Sequence, residues 1–264
     1  AGRKGDRPMG CATLRSQNAG AAAAVAVVAI LVAPAATWGT TIADVGAQIP
    51  GGRLIWESGN YIYHSTLGNW SPQQIKPGYR PKWSPDGTRI AYSVGDRLYV
   101  MNSDFTGDAQ LIAGISAGWW ETAYSWTRDG GYLTVLMGDK RTVRKVNALT
   151  GDSTVIYVDP SQDLAESAEI DATGRYLLLF RLSPNHIRVW DMQNNVALTN
   201  PADLGWNCTP AWAPDGSYFV NTEDGVSRPI MKCTFNPWSG SIGDPTYLVG
   251  MDGLGQNNYV CHFG

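Results

Sequence analysis

The sequence predicts an all-β fold built from one repeated four-stranded unit, and two observations carry the prediction. The first is a recurrence. "WSPDGTRIAYSVGDRLYVMN" from Trp83 aligns with "YSWTRDGGYLTVLMGDKRTVRKVN" from Tyr124, "AEIDATGRYLLLFRLSPNHIRVWD" from Ala168 and "PAWAPDGSYFVNTEDGVSRPIMKCTF" from Pro210. The turn glycines Gly87, Gly130, Gly174 and Gly216 are 43, 44 and 42 residues apart, and a bulky residue (Trp83, Trp126, Ile170, Trp212) precedes each at a fixed offset. The second is composition. With 30 Gly, 11 Trp and 12 Tyr in 264 residues and only 16% charged, the chain suits turn-rich β structure with aromatic strand packing.

Each copy divides into four strands. Strand a carries the bulky anchor and ends at an Asp-Gly or Thr-Gly turn, whose glycine tolerates positive φ. Strand b is expected at residues 90–92, 133–136, 177–180 and 218–220. Strand c follows at 98–101, 143–146, 187–190 and 230–233, and strand d at 110–112, 154–157, 196–198 and 247–249. Four short antiparallel strands every 40–45 residues or so is the spacing of a β-propeller blade. A β-sandwich would not return the same residue types at so constant a period.

The aromatic-Ser-Pro-Asp-Gly turn before an apolar strand, as in "WSPDGTRIAYSVGDRLYVMN" and "WAPDGSYFV", resembles the repeat of TolB-type (WD40-like) β-propellers. The resemblance covers about residues 52–264, and the copy at Ile170 departs from it most, reading "IDATG". It implies an all-β propeller that binds other proteins through one face in the cell envelope.

Five blades with N/C-terminal closure are expected. Residues 52–75 align as strands b, c and d without a strand a, and "NNYVCHFG" at 257–264 aligns as a strand a alone. One blade built from both ends would remove an exposed sheet edge. In that reading residues 259–263 pair with residues 53–56, and Phe263 takes the anchor position. The alternative is a fragment of a longer propeller.

Residues 1–44 read as a separate export segment ahead of a propeller domain at 45–264. Met9 opens a stretch with Arg15 before an Ala/Val run at 19–36 and small residues near a cleavage site, the layout of a secretory signal. A retained N-terminal anchor is the alternative, because the run approaches a minimal membrane span. A periplasmic or secreted location follows, and no further membrane span is expected in the mature domain. Export permits a disulfide among Cys208, Cys233 and Cys261, with one thiol left over.

Charge and motif content exclude several functions. A net charge of −3 without a basic cluster argues against nucleic acid. His64, His186 and His262 are far apart, so no metal or cofactor is expected. "GISAG" at 114–118 matches a nucleophile elbow, but no helix follows it. Glu121, Glu166 and Glu169 lie shortly before strand a anchors, where paired carboxylates could serve a glycosidase; a solvated acidic rim is the plainer reading. Trp120 and Trp206 each sit six residues before their anchor, in the connection from strand d to strand a, and Trp119 adjoins the first. That is the face where propellers usually bind. The expected contact set is therefore Trp119, Trp120, Trp206, Glu121 and Glu166. The reading is a non-catalytic module for an envelope protein or glycan. The alternatives are a propeller glycoside hydrolase or lyase, or the propeller part of a prolyl-oligopeptidase-like protein.

Overall fold

Gly87, Gly130, Gly174 and Gly216 adopt φ of +70°, +66°, +76° and +72°, the left-handed region that the repeated turn requires. In each turn the glycine N–H donates to the carbonyl three residues back: Ser84, Thr127, Asp171 and Ala213. Side chains reinforce the loop. Ser84 Oγ donates to Asp86 Oδ1 at 2.6 Å and Thr127 Oγ1 to Asp129 Oδ1 at 2.6 Å, as Asp and Ser/Thr do when they mimic backbone turns. These turns launch strand b in register, because they fix where the strands reverse.

The computed structural model describes residues 13–15, 52–66, 69–117, 123–159, 165–182, 185–198, 207–213, 215–223 and 230–249. They form five four-stranded antiparallel sheets, and no helix occurs among the described residues. The first sheet comprises β1 (Thr13–Arg15), β2 (Arg53–Ser58), β3 (Tyr61–Thr66) and β4 (Asn69–Pro77). The second is β5 (Tyr79–Trp83), β6 (Arg89–Val94), β7 (Arg97–Asn102) and β8 (Ala109–Ala113). The third holds β9 (Tyr124–Trp126), β10 (Tyr132–Leu136), β11 (Thr142–Asn147) and β12 (Ser153–Val158). In the fourth lie β13 (Ala165–Ile170), β14 (Tyr176–Leu182), β15 (Asn185–Asp191) and β16 (Val196–Leu198). The fifth runs β17 (Asn207–Trp212), β18 (Tyr218–Glu223), β19 (Ile230–Asn236) and β20 (Ser241–Val249). Five blades of strands a to d are the expected architecture.

Register repeats with the sequence. Trp83 lies opposite Ile90, Trp126 opposite Leu133, Ile170 opposite Leu177 and Trp212 opposite Phe219. Burial falls from the first strand of a blade to the last. All six residues of β13 are buried, while β8 and β16 have none buried. A strand covered on both faces reads this way, and an outer strand facing water does not.

Four apolar cores hold successive blades together. Ile55 and Ile62 of the first meet Trp83 and Ile90 of the second. Leu98 and Val100 meet Tyr124 and Trp126. Leu136 and Val143 meet Leu177 and Trp190, and Tyr176 and Ile187 meet Trp212 and Phe219. The stabilisation is thus hydrophobic burial between faces rather than within one sheet.

The first blade takes a strand from the N-terminal side. Its inner strand is β1, with Thr13 opposite Ile55, Leu14 opposite Leu54 and Arg15 opposite Arg53. The edge of β2 offers unpaired N–H and C=O groups, and a short segment from the N-terminal side satisfies them. Residues 13–15 thus pair with the edge of β2 that the closure reading gives to residues 259–263 and Phe263, which lie outside the described residues.

Candidate functional site

Polar residues recur immediately before the anchors of the inner strands. Lys82, Ser125 and Glu169 take this place in the second, third and fourth blades, and Ala211 in the fifth. Such residues sit on strands with both faces covered, so each polar atom needs a partner inside the protein. The partners cross between blades. Lys82 Nζ donates to the Tyr124 carbonyl at 2.8 Å. Ser125 Oγ donates to Glu169 Oε1 at 3.1 Å. The Trp212 N–H donates to Glu169 Oε2 at 3.1 Å, and the Trp212 indole Nε1 donates to the Glu169 carbonyl at 3.3 Å. Glu169 therefore joins three blades.

The indole bond is itself part of the repeat. Trp126 Nε1 donates to the Lys82 carbonyl at 3.0 Å, as Trp212 does to Glu169. Trp83 is the exception: its Nε1 is buried without a hydrogen-bond partner. Arginines stack over two of these anchors, Arg53 over Trp83 at 4.5 Å and Arg89 over Trp126 at 5.3 Å. Arg89 also donates to the Gly130 carbonyl at 2.6 Å, clamping the second blade to the third.

Electrostatics single out Glu169. Burial pushes its carboxyl up to about 7, against the pull of the Lys82 charge and of the Trp212 and Ser125 hydrogen bonds. His64 moves the other way, down to about 4, because it is half-buried and lies beside the Arg53 guanidinium. Arg53 Nε donates to His64 Nε2 at 3.2 Å, which requires that nitrogen to be unprotonated.

Of the expected contact residues, Glu166 is the one the structure describes; Trp119, Trp120, Glu121 and Trp206 lie outside the described residues. Glu166 is 3% exposed and accepts from Lys140 Nζ at 2.8 Å. A bulge in the β13–β14 pairing between Ala165 and Ser167 places Glu166 at an irregular position. With Glu169 at 9% exposure, neither acid belongs to a solvated rim. Lys82 and Ser125 went unnoticed in the sequence, although their shared offset before Trp83 and Trp126 was the available signal.

Cys233 is a free, buried thiol, pushed up to about 12 by burial, so it takes no part in a disulfide. Among the described residues no His, Cys, Asp and Glu group could hold a metal ion. No helix among them is long and apolar enough to cross a membrane.

Comparison with known proteins places the architecture. No protein-family model matches the sequence, and no curated protein matches it. Solved structures do. A candidate TolB protein of Agrobacterium tumefaciens superposes with a TM-score of 0.56 at 14% identity, covering 74% of this chain and 76% of its own. A Lactobacillus plantarum protein superposes with a TM-score of 0.55 at 14% identity, covering 75% of this chain and 68% of its own. The chain has the fold of TolB-like propellers.

Proposed function

We propose that this chain is an exported, non-catalytic β-propeller that binds a protein or a glycan in the cell envelope. The observation that carries the non-catalytic part is the engagement of its inner acids. Glu166 is ion-paired with Lys140, and Glu169 accepts from Ser125 and Trp212, so both described carboxylates before the inner anchors are used in holding blades together. A glycosidase needs two carboxyls facing substrate. The TolB-like fold supports a binding role by analogy of architecture, and a propeller's fold leaves its ligand open. The binding face is the strand d to strand a side, where Trp119, Trp120 and Trp206 occur in the sequence, because large loop aromatics gain most from burial by a partner.

Export rests on residues 1–44, and mass spectrometry of the protein recovered from the envelope and medium gives its N-terminus. A start between about residues 36 and 46 supports export; that cleavage takes β1 (Thr13–Arg15) with it and leaves the inner edge of β2 to another segment. An intact chain retained in membranes overturns export. For binding, Trp119→Ala, Trp120→Ala and Trp206→Ala are compared with wild type in envelope cross-linking and glycan-array assays. Loss of the cross-linked or bound species at unchanged melting temperature supports the reading. Turnover of a polysaccharide by the wild-type protein overturns it.

A further inference from the structure

The anchor tryptophans follow a rule that fails at one place. Trp126 Nε1 donates to the Lys82 carbonyl and Trp212 Nε1 to the Glu169 carbonyl. Each acceptor stands immediately before the anchor of the preceding blade's inner strand. Trp83, in the second blade, should then find its acceptor on the inner strand of the first. Arg53 stacks over Trp83 as Arg89 stacks over Trp126. Each arginine also donates to the turn after the third strand of the next blade, at the Ser103 and Ala148 carbonyls. Leu54, which follows Arg53, therefore corresponds to Ile90, which follows Arg89 and lies opposite Trp83. Leu14 of β1 lies opposite Leu54, so Thr13 stands where Lys82 and Glu169 do. Trp83 is only 1% exposed, and its Nε1 still has no partner. β1 occupies the edge without supplying the acceptor.

Another segment of the chain fits that edge. After β8, β12 and β16 the connections to the next inner strand are residues 114–123, 159–164 and 199–206. β20 ends at Val249, and residues 250–258 make a connection of similar length before residues 259–263. Among the described sheets, the first is the one whose inner strand comes from outside the repeat. With Phe263 opposite Leu54, His262 comes immediately before the anchor. Its carbonyl then takes the place that the Lys82 and Glu169 carbonyls hold for Trp126 and Trp212.

We infer that residues 13–15 are a placeholder on the inner edge of β2, and that removal of the export segment hands this edge to residues 259–263, whose His262 carbonyl accepts the Trp83 indole N–H. Export hydrolyses one peptide bond between about residues 36 and 46, and nothing else covalent changes. The released edge of β2 cannot stay unpaired without inviting association with other chains. Residues 259–263 belong to the same chain, so they reach it at high effective concentration. The exchange also satisfies a buried donor that β1 leaves orphaned, and an orphaned buried N–H is unfavourable. The processed chain is therefore the more stable of the two.

Removal of the segment in the cell rests on the export reading, so the exchange is tested on chain cut in vitro. The full chain is folded with a specific protease site introduced at residues 40–44, and hydrogen exchange of residues 257–264 is measured before and after cutting. Exchange should slow by more than about tenfold on cutting, beyond what a fraying terminus shows. The second readout is unfolding of Trp83→Phe and Trp126→Phe in both forms. In the full chain Trp83→Phe should keep the higher folding constant by about fivefold, and after cutting that gap should close, because both variants then lose one indole hydrogen bond. Protection of residues 257–264 that is equal in both forms overturns the inference, as does a gap that survives cutting. Association of the cut chain with residues 257–264 still unprotected overturns it too, since another molecule then holds the edge. An unprocessed chain in cells whose cut form still gains the protection overturns export and leaves the exchange standing.

Discussion

Thr173 donates its hydroxyl to Asp171 at 2.6 Å, which is the Ser84-to-Asp86 bond of the second blade with the two residue types exchanged. In the second blade the hydroxyl comes first and the carboxylate third. In the fourth the carboxylate comes first, and Asp171 Oδ1 accepts from the Tyr176 N–H at 2.8 Å, as Ser84 Oγ accepts from the Arg89 N–H at 2.9 Å. The copy that departs most from the repeat in sequence keeps its hydrogen bonds.

The exchange is testable by reversing it. Asp171→Ala removes the acceptor for Thr173, Arg175 and Tyr176, and should lower stability by about 1–3 kcal/mol. The double change Asp171→Ser, Thr173→Asp restores the order found in the second blade. It should recover most of that loss in urea unfolding. A double variant no more stable than Asp171→Ser alone would show that the turn is specific to its sequence.

The three anchor tryptophans should differ in a way their common place does not suggest. Trp126→Phe and Trp212→Phe each remove an indole N–H bond to the preceding blade and leave a buried carbonyl behind. Trp83→Phe removes a donor that has no partner. With similar volume lost in each case, Trp83→Phe should be milder by about 1 kcal/mol. Trp83 and Trp126 both lie beneath an arginine, so the cation–π contribution does not separate them. Equal losses in thermal unfolding would contradict the assignment.

Much of this was legible in the sequence, and the reason is the repeat. A period fixed by turn glycines at Gly87, Gly130, Gly174 and Gly216 gives the strand order and the blade, because each turn sets its own register. What could not be read is which side chains meet across blades. Glu169 looked like a rim acid because sequence shows its offset from Ile170 but not the Ser125 and Trp212 donors, which lie 44 and 43 residues away. The Glu166 contact is hidden for the same reason, its partner Lys140 being 26 residues distant. The inner strand of the first blade is also beyond pattern reading. Residues 13–15 pair with β2, and nothing in their sequence matches the repeat.

His64 gives a pH dependence opposite in sign to that of Glu169. Its imidazole is lowered to about 4 by burial and by the Arg53 charge, below its ordinary value of 6.5. The unfolded chain then binds the proton first, so stability is present above about 6.5 and is lost as pH falls toward 4. His64→Gln keeps an acceptor for Arg53 and does not titrate. Relative to wild type it should lose less stability between pH 6.5 and 4.5 in chemical unfolding. The full effect of one proton is not expected, since His64 is only half-buried and solvent screens it. Parallel curves for the two proteins would remove His64 as the cause.

Glu166 offers the cleanest separation of a structural acid from a ligand contact. Its carboxylate is buried on β13, and Lys140 reaches it from the turn between β10 and β11. The Lys140 carbonyl also accepts from the Ala165 N–H at 2.8 Å, so two bonds fasten the start of the fourth blade to the third. Lys140→Met withdraws the ammonium and leaves a charge inside the protein. Glu166→Gln keeps an acceptor and removes the charge. Lys140→Met should therefore be the more damaging, by about 1–3 kcal/mol once the partial exposure of Lys140 is allowed for. The double variant Lys140→Met, Glu166→Gln should recover part of the loss, because the buried charge that Lys140 had paired is gone. A residue contacting a partner would behave otherwise, with Glu166→Gln weakening binding while the unfolding midpoint stayed put. Measured together, the midpoint and the affinity of the three variants assign Glu166 to the blade interface if only the midpoint moves, and return it to the binding face if only the affinity does.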